Sequence, residues 1–237
     1  MTTGIMQPYY FPYIGYWQLM NRADRYVIYD DAAFIKGGWI ARNRILINGA
    51  PSFINVPLSG AGSGRPIREI RADITPRSVR KTRTKLECAY RRAPYYGEVY
   101  PVVTRMLDAA AEQEGLADYL SVLIREMARL LNIRAEFSRS SDLSRGKELR
   151  GQDRVIEICR ELNTDVYLNA IGGMHLYRAA DFQAAGMELR FLRTDPISYR
   201  QFGGAFCPNL SIIDVLMFNG WEGTRALLDA CDEIPGI

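Results

Sequence analysis

Two carboxylates stand side by side at Asp30 and Asp31, directly after Asp24 to Tyr29, a β-branched and aromatic run that reads as a buried strand. Adjacent carboxylates at a strand end are costly to bury unless each is hydrogen-bonded, paired with a cation or bound to a metal. Lys36, Arg42 and Arg44 are close in sequence and would supply a structural ion pair. The chemical alternative is that one carboxylate acts as a general base or orients a cationic amine. A second group, Gln7, Pro8, Tyr9 and Tyr10, follows a short apolar run from Gly4 to Met6. Its amide, phenols and flat faces suit a polar small molecule such as a sugar or a base, although aromatic clusters are also ordinary core material. A third, Gly172 and Gly173, falls after a predicted strand and before a helix expected to start near Leu176. Backbone amides there could meet an anion at a helix N-terminus, or the pair could form a turn that requires positive φ.

His175, the sole histidine, follows that turn and is the natural general base at neutral pH. Cys207 precedes a predicted helix whose dipole would lower a thiol pKa, and Asp214 is close in sequence. A nucleophilic arrangement of Cys207, His175 and Asp214 requires the fold to bring them together, and free cysteines are usually inert core residues. Ser211, three residues before Asp214, has a simpler use as a helix cap.

The elements that must position these groups alternate. A strand at Gly4 to Met6 precedes a helical pattern from Tyr16 to Ala23 and the strand ending at Asp30. Arg44 to Ile47 and Phe53 to Val56 flank Asn48-Gly49, the signal of a β-hairpin. Ser59 to Gly64 is glycine-rich but lacks the strand and helix of a dinucleotide fingerprint, so it reads as a loop. Three helices follow, Ser78 to Tyr90, Gly97 to Glu114 and Leu116 to Leu131, each with apolar residues at three- and four-residue spacing. Beyond them come a strand near Ala135 to Phe137, helix Gln152 to Leu162, strand Val166 to Leu168, helix Tyr177 to Ala185 and strand Glu188 to Leu192. Two helices, Ser211 to Phe218 and Glu222 to Cys231, hinge at Asn219-Gly220. This order predicts an α/β fold, a mostly parallel sheet of Rossmann-like type with a β-hairpin and a helical middle segment at about 77–131, in one domain spanning 1–237. Ligands of such sheets bind beyond the carboxyl ends of the strands, so the three strand-end groups are expected to converge.

Composition narrows the function. The 237 residues carry a net charge of only +3, and 26 of the 30 basic residues are arginine spread among 27 acids, which does not predict a nucleic-acid binder. The densest basic stretch, Arg77 to Arg92, is expected to scatter over more than one helix face. Four separated cysteines without ligand spacing predict no metal site and reduced thiols. The start lacks the signature of a secretory leader, and no apolar run approaches the roughly 20 residues that span a bilayer. The expectation is a cytoplasmic protein without a membrane partner. The tyrosines, read as exposed, would suit a homodimer.

The segments MQPYYFPYIGYWQL, YVIYDDAAFIKGGWIARNRIL, SSDL and LSIIDVLMFNG together resemble the WbqC-like family over nearly the whole chain. That resemblance implies a transferase passing an aminoacyl (glycyl-like) or acyl group from a carrier thioester to the amine of a sugar nucleotide or specialised metabolite, as in O-antigen assembly. No bound cofactor is implied. The donor would be a phosphopantetheine-linked, acidic carrier protein, docked on the basic face around Arg77 to Lys85. Within the matching motifs the resemblance points to Gln7, Pro8, Tyr9, Pro12, Gly15, Asp30, Asp31, Lys36, Trp39, Arg42, Asn43, Ser211 and Asp214. Asp30 or Asp31 would orient and deprotonate the amine, Arg42 and Asn43 would contact a phosphate or the oxyanion, and the tyrosines would hold the acceptor. His175 and Cys207 lie outside those motifs. The strand, aromatic loop, helix, strand opening also has the order of nucleotidyl-transfer enzymes with a HIGH-type motif, whose histidines are missing here. A non-catalytic scaffold for a biosynthetic complex is the remaining alternative.

Overall fold

The computed structural model describes residues 1–236. Strand β1 (Thr2–Met6) ends where Pro8 removes a donor, and after an aromatic loop helix α1 (Ile14–Arg22) returns the chain to β2 (Arg25–Ile28). In β2 the side chains alternate: Tyr26 and Ile28 join the larger apolar cluster, while Val27 joins a second one on the opposite face. A strand with both faces buried belongs in the middle of a three-layer sandwich.

A long excursion separates β2 from its next neighbour in the sheet. It begins with the hairpin β3 (Arg42–Ile47) and β4 (Ala50–Asn55), whose Asn48 and Gly49 both have positive φ, 51° and 77°, as a two-residue hairpin turn demands. A small ladder of β5 (Leu58–Ser59) with β6 (Arg71–Ala72) encloses the glycine-rich loop. Helices α2 (Pro76–Tyr90), α3 (Tyr96–Ala110) and α4 (Leu116–Leu130) follow, and their buried residues lie in the same cluster as Tyr26 and Leu168 of the sheet. The helical middle therefore shares its core with one face of the sheet.

The chain then re-enters the sheet through β7 (Glu136–Arg139), α5 (Gly151–Glu161), β8 (Val166–Ala170), α6 (Ala179–Ala184) and β9 (Glu188–Thr194). After α7 (Ile212–Ala226) it closes with β10 (Cys231–Pro235). The six-stranded sheet runs β10-β9-β8-β1-β2-β7, and only the β10–β9 pair is antiparallel. Counted in chain order, its five parallel strands read 3-2-1-4-5, the order of a doubly wound sheet. Helices α5 and α6 cover the second face.

The expected alternation is present, with three corrections. The expected pair of helices at the tail is present, hinged at Gly220 (φ 66°, ψ −173°), where a Cβ would lie 2.7 Å from the Tyr95 ring, but the second helix ends at Ala226 rather than at Cys231, and Cys231–Pro235 is an edge strand. Its acidic, proline-ended sequence has little strand propensity of its own. Gly172 and Gly173 sit inside a 3-10 turn, Ile171–Leu176, with no positive φ, and α6 starts three residues later than that turn ends and is only six residues long. Finally, none of the 14 tyrosines is exposed, which removes the observation behind the dimer expectation. Among the described residues, no helix is long and apolar enough to cross a membrane.

Candidate functional site

The parallel pairing of β2 with β7 puts Ile28 opposite Arg139, so the residues just beyond each strand meet at the sheet's carboxyl end. There Asp30 and Asp31 face Ser140 and Ser141, more than a hundred residues away in sequence. Asp30 is fully buried. Its Oδ1 accepts from the Ser141 amide at 3.0 Å and its Oδ2 from the Ser141 hydroxyl at 2.8 Å. Asp31 accepts from the Ser140 hydroxyl at 2.6 Å through Oδ1 and from Arg154 Nη2 at 2.9 Å through Oδ2. Arg154 is itself buried and also donates to the carbonyls of Ser140, at 2.8 Å, and Arg145.

The cation that compensates the pair is thus Arg154 of α5, not the neighbouring Lys36, Arg42 or Arg44. Lys36 is exposed. The Arg42 guanidinium donates to the carbonyls of Gly37 and Gly38 and lies 4.5 Å from the Phe53 ring centroid. The oxygens of both acids are engaged, and the two divide by exposure: Asp30, fully buried, anchors β2 to β7, and Asp31, whose side chain is 18% exposed, opens onto a cavity of about 320 Å³. Arg68, Lys147, Arg150 and Arg154 also line this cavity, giving four cations around one carboxylate. Tyr29 lines it too, its phenol pushed up to about 12 by burial and then by the charge of Asp31, so it is a neutral donor at physiological pH.

A second cavity of about 320 Å³ follows β1 and is lined by Tyr9, Pro12, Tyr13, Trp39, Asn43, Arg44 and Asn209. Its wall is built from three distant segments. Asn43 is buried and donates to the carbonyls of Tyr10 and Phe11 at 3.2 and 2.8 Å. The Ser211 hydroxyl donates to Phe11 O at 2.8 Å while capping α7 by accepting from the Ile213 amide, and Trp17 Nε1 and the Ile212 amide both bond Pro12 O at 3.0 Å. This web holds Phe11 at φ 44°, an unfavourable conformation for an aromatic residue that persists because its surroundings over-determine it. Gly15 is needed for close packing, since a Cβ there would lie 2.7 Å from Thr194 Oγ1. Burial raises the phenol pKa of Tyr9 and Tyr13, leaving both as neutral hydroxyls.

Several residues expected at the site do other work. Pro8 and Tyr10 are buried, Tyr10 beside Tyr119. Gln7 gives its backbone carbonyl to Tyr16 at 2.7 Å. Gly172 and Gly173 follow β8, and no helix of useful length begins after them to hold an anion. The Cys207, His175 and Asp214 arrangement does not form. His175 is exposed and has no side-chain hydrogen bond among the described residues, whereas Asp214 is buried and accepts from Tyr90 and Tyr199, each at 2.7 Å, and Gln201 at 2.9 Å. Cys207 touches this network only through its backbone, bonded to the Gln201 amide group. Burial pushes the Asp214 carboxyl up, against the lowering effect of its three donors. Sequence reading missed Arg154, Lys147, Arg150 and Arg68. Of these only Arg154 carried a signal, as an arginine inside the apolar stripe of α5.

The structure defines an α/β protein with a mostly parallel central sheet and two cavities beyond the carboxyl ends of β1, β2 and β7. The chain belongs to the WbqC-like protein family, whose model matches residues 7–226. It is also similar to the uncharacterized protein Rv1507c of Mycobacterium tuberculosis, 26% identical over 223 residues that cover 92% of this chain and 94% of the relative. No solved structure matches.

Proposed function

We propose that the protein is an acyl or aminoacyl transferase whose acceptor carries both an amine and a phosphate group, as an amino-sugar nucleotide does. The carrying observation is that Asp31 opens onto a cavity walled by Arg68, Lys147, Arg150 and Arg154. A single carboxylate among cations is matched by a ligand with the opposite arrangement, one amine on a polyanion. On this reading the sheet is Rossmann-like in use as well as in strand order, with the acceptor beyond its carboxyl edge.

In the proposed reaction the acceptor nitrogen attacks the carbonyl carbon of a carrier thioester, the C–S bond breaks, and an amide forms. Asp31 holds the amine and takes the proton that the nitrogen sheds as it acquires positive charge. The proton then passes to the departing thiolate. Arg68, Lys147 and Arg150 hold the phosphate, and positioning of this kind supplies much of the barrier reduction in transfer between bound groups. Asp30, buried behind Asp31, keeps it in place.

The carrier would dock on α2. Arg77 and Lys81, four residues apart on one side of α2, are exposed together with Arg80, so this part of the basic stretch is open to a partner. Arg83 and Lys85 turn away to Asp108 and to the Phe53 carbonyl. An unpaired basic helix face speeds encounter with an acidic partner.

Isothermal titration with UDP-glucosamine and UDP-glucose tests the reading. The amine-bearing ligand is expected to bind at least tenfold tighter, and Asp31→Asn should erase that preference when titrated below its unfolding temperature, which loss of the Arg154 pair is expected to lower. Equal affinities in the native protein would remove the basis for placing an amine at Asp31. Pyrophosphate release from ATP or CTP with Mg²⁺ would instead favour nucleotidyl transfer.

A further inference from the structure

We infer that the cavity beyond β1 is a binding pocket for a nucleobase, with the Trp39 ring as its stacking platform. Trp39 is 42% exposed, unusual for so large an apolar side chain, and its ring is flanked by two guanidinium groups, Arg44 at 5.4 Å and Arg42 at 5.9 Å from the centroid. The other walls are also flat: Tyr9, Tyr13 and Pro12. Planar faces with an arginine over an aromatic ring are how proteins hold unpaired bases, because every base offers a π-face.

The polar inventory selects a ring that accepts hydrogen bonds. The Asn43 side chain is already committed, its amide nitrogen to two carbonyls and its oxygen to the Arg44 amide at 2.8 Å. Arg44, by contrast, lines the cavity with a single guanidinium hydrogen bond, Nη2 to the Asn209 carbonyl at 3.4 Å, which leaves N–H donors for a ring carbonyl or ring nitrogen. The cavity's volume, about 320 Å³, lies at the small end of the roughly 300–1,000 Å³ range of ligand pockets, enough for a base but not for a large cofactor. Its rigid wall, with Phe11 at φ 44° and Asn209 at φ 56°, supplies a preformed slot.

This inference stands apart from the amine-transfer reading, since its ligand needs no amine and its residues are not those around Asp31. Isothermal titration with UMP, CMP, AMP and GMP, and with ribose 5-phosphate and N-acetylglucosamine as ligands without a base, tests it on the full chain. At least one nucleotide is expected to bind tenfold tighter than ribose 5-phosphate. Trp39→Ala should weaken it tenfold or more, Trp39→Phe should restore most of the affinity, and Arg44→Met should weaken it severalfold. Because Trp39 is exposed, its variants are expected to unfold at the native temperature. Absence of nucleotide binding at millimolar concentration, ribose 5-phosphate binding as well as the nucleotides, or full affinity in Trp39→Ala would each overturn the assignment. Tight binding of N-acetylglucosamine in place of any nucleotide would overturn it in favour of a sugar platform.

Discussion

Asp30 and Asp214 are fully buried carboxylates, Asp31 is nearly so, and the fold compensates the pair and Asp214 by different means. The pair after β2 is given two serines and a buried arginine. Asp214 is given two phenols and an amide, with no cation among its bonded partners. The first arrangement pairs a carboxylate with a cation at the edge of a cavity. The second leaves burial as the largest influence on the carboxyl and makes it a fastener between α2, α7 and the segment around Tyr199. A buried acid is therefore informative about function only with its partners in view, and Ser140, Ser141 and Arg154 on one side and Tyr90 on the other lie far away in sequence.

That contrast can be broken first at Arg154. Arg154→Ala would remove the cation from beside Asp31 and free the carbonyls of Ser140 and Arg145, and the expected loss is about 3–5 kcal/mol in urea unfolding. A loss below about 1 kcal/mol would mean that the acid pair does not depend on it. Asp214→Ala would strand two tyrosine hydroxyls and the Gln201 amide, with an expected cost of about 2–3 kcal/mol read the same way.

The smallest effect sharpens the comparison through pH. Burial raises the Asp214 pKa above its ordinary value of 3.8, so the folded protein binds that proton more tightly than the unfolded chain does. The resulting stabilisation is fully present below the unfolded pKa and is lost as pH rises through the folded one. The stability of the native protein relative to Asp214→Asn should therefore be greatest near pH 4 and should decline toward pH 7. A relative gain with rising pH would show that the three donors outweigh burial.

Local signals in the sequence were enough for the elements that carry their own pattern. Asn48-Gly49 marks the hairpin, and the apolar stripe of Leu116, Leu120, Leu123, Met127 and Leu131 marks α4, all five buried as a core stripe should be. The site was legible as residues but not as partnerships. Asp30 and Asp31 are noticeable by type, whereas Ser140 meets them only because β7 pairs with β2 across the long excursion, a consequence of strand order that no local pattern encodes. For the same reason Asn43 and Ser211, expected to touch substrate, prove to be the two side chains that hold the Phe11 carbonyl. The β10 strand escaped because its place in the sheet comes from β9, not from its own residues.

The most direct test of the central claim is an acyl-transfer assay with glycyl-pantetheine thioester as donor and UDP-glucosamine as acceptor, comparing the native protein with Asp31→Asn and with Lys81→Glu on the proposed carrier-docking face. The account predicts a time-dependent amide product, reduced at least a hundredfold in Asp31→Asn assayed well below its unfolding temperature and undiminished in Lys81→Glu, because a free pantetheine donor needs no docking surface. Product formation by Asp31→Asn at the native rate, or no amide from the native protein, would contradict it.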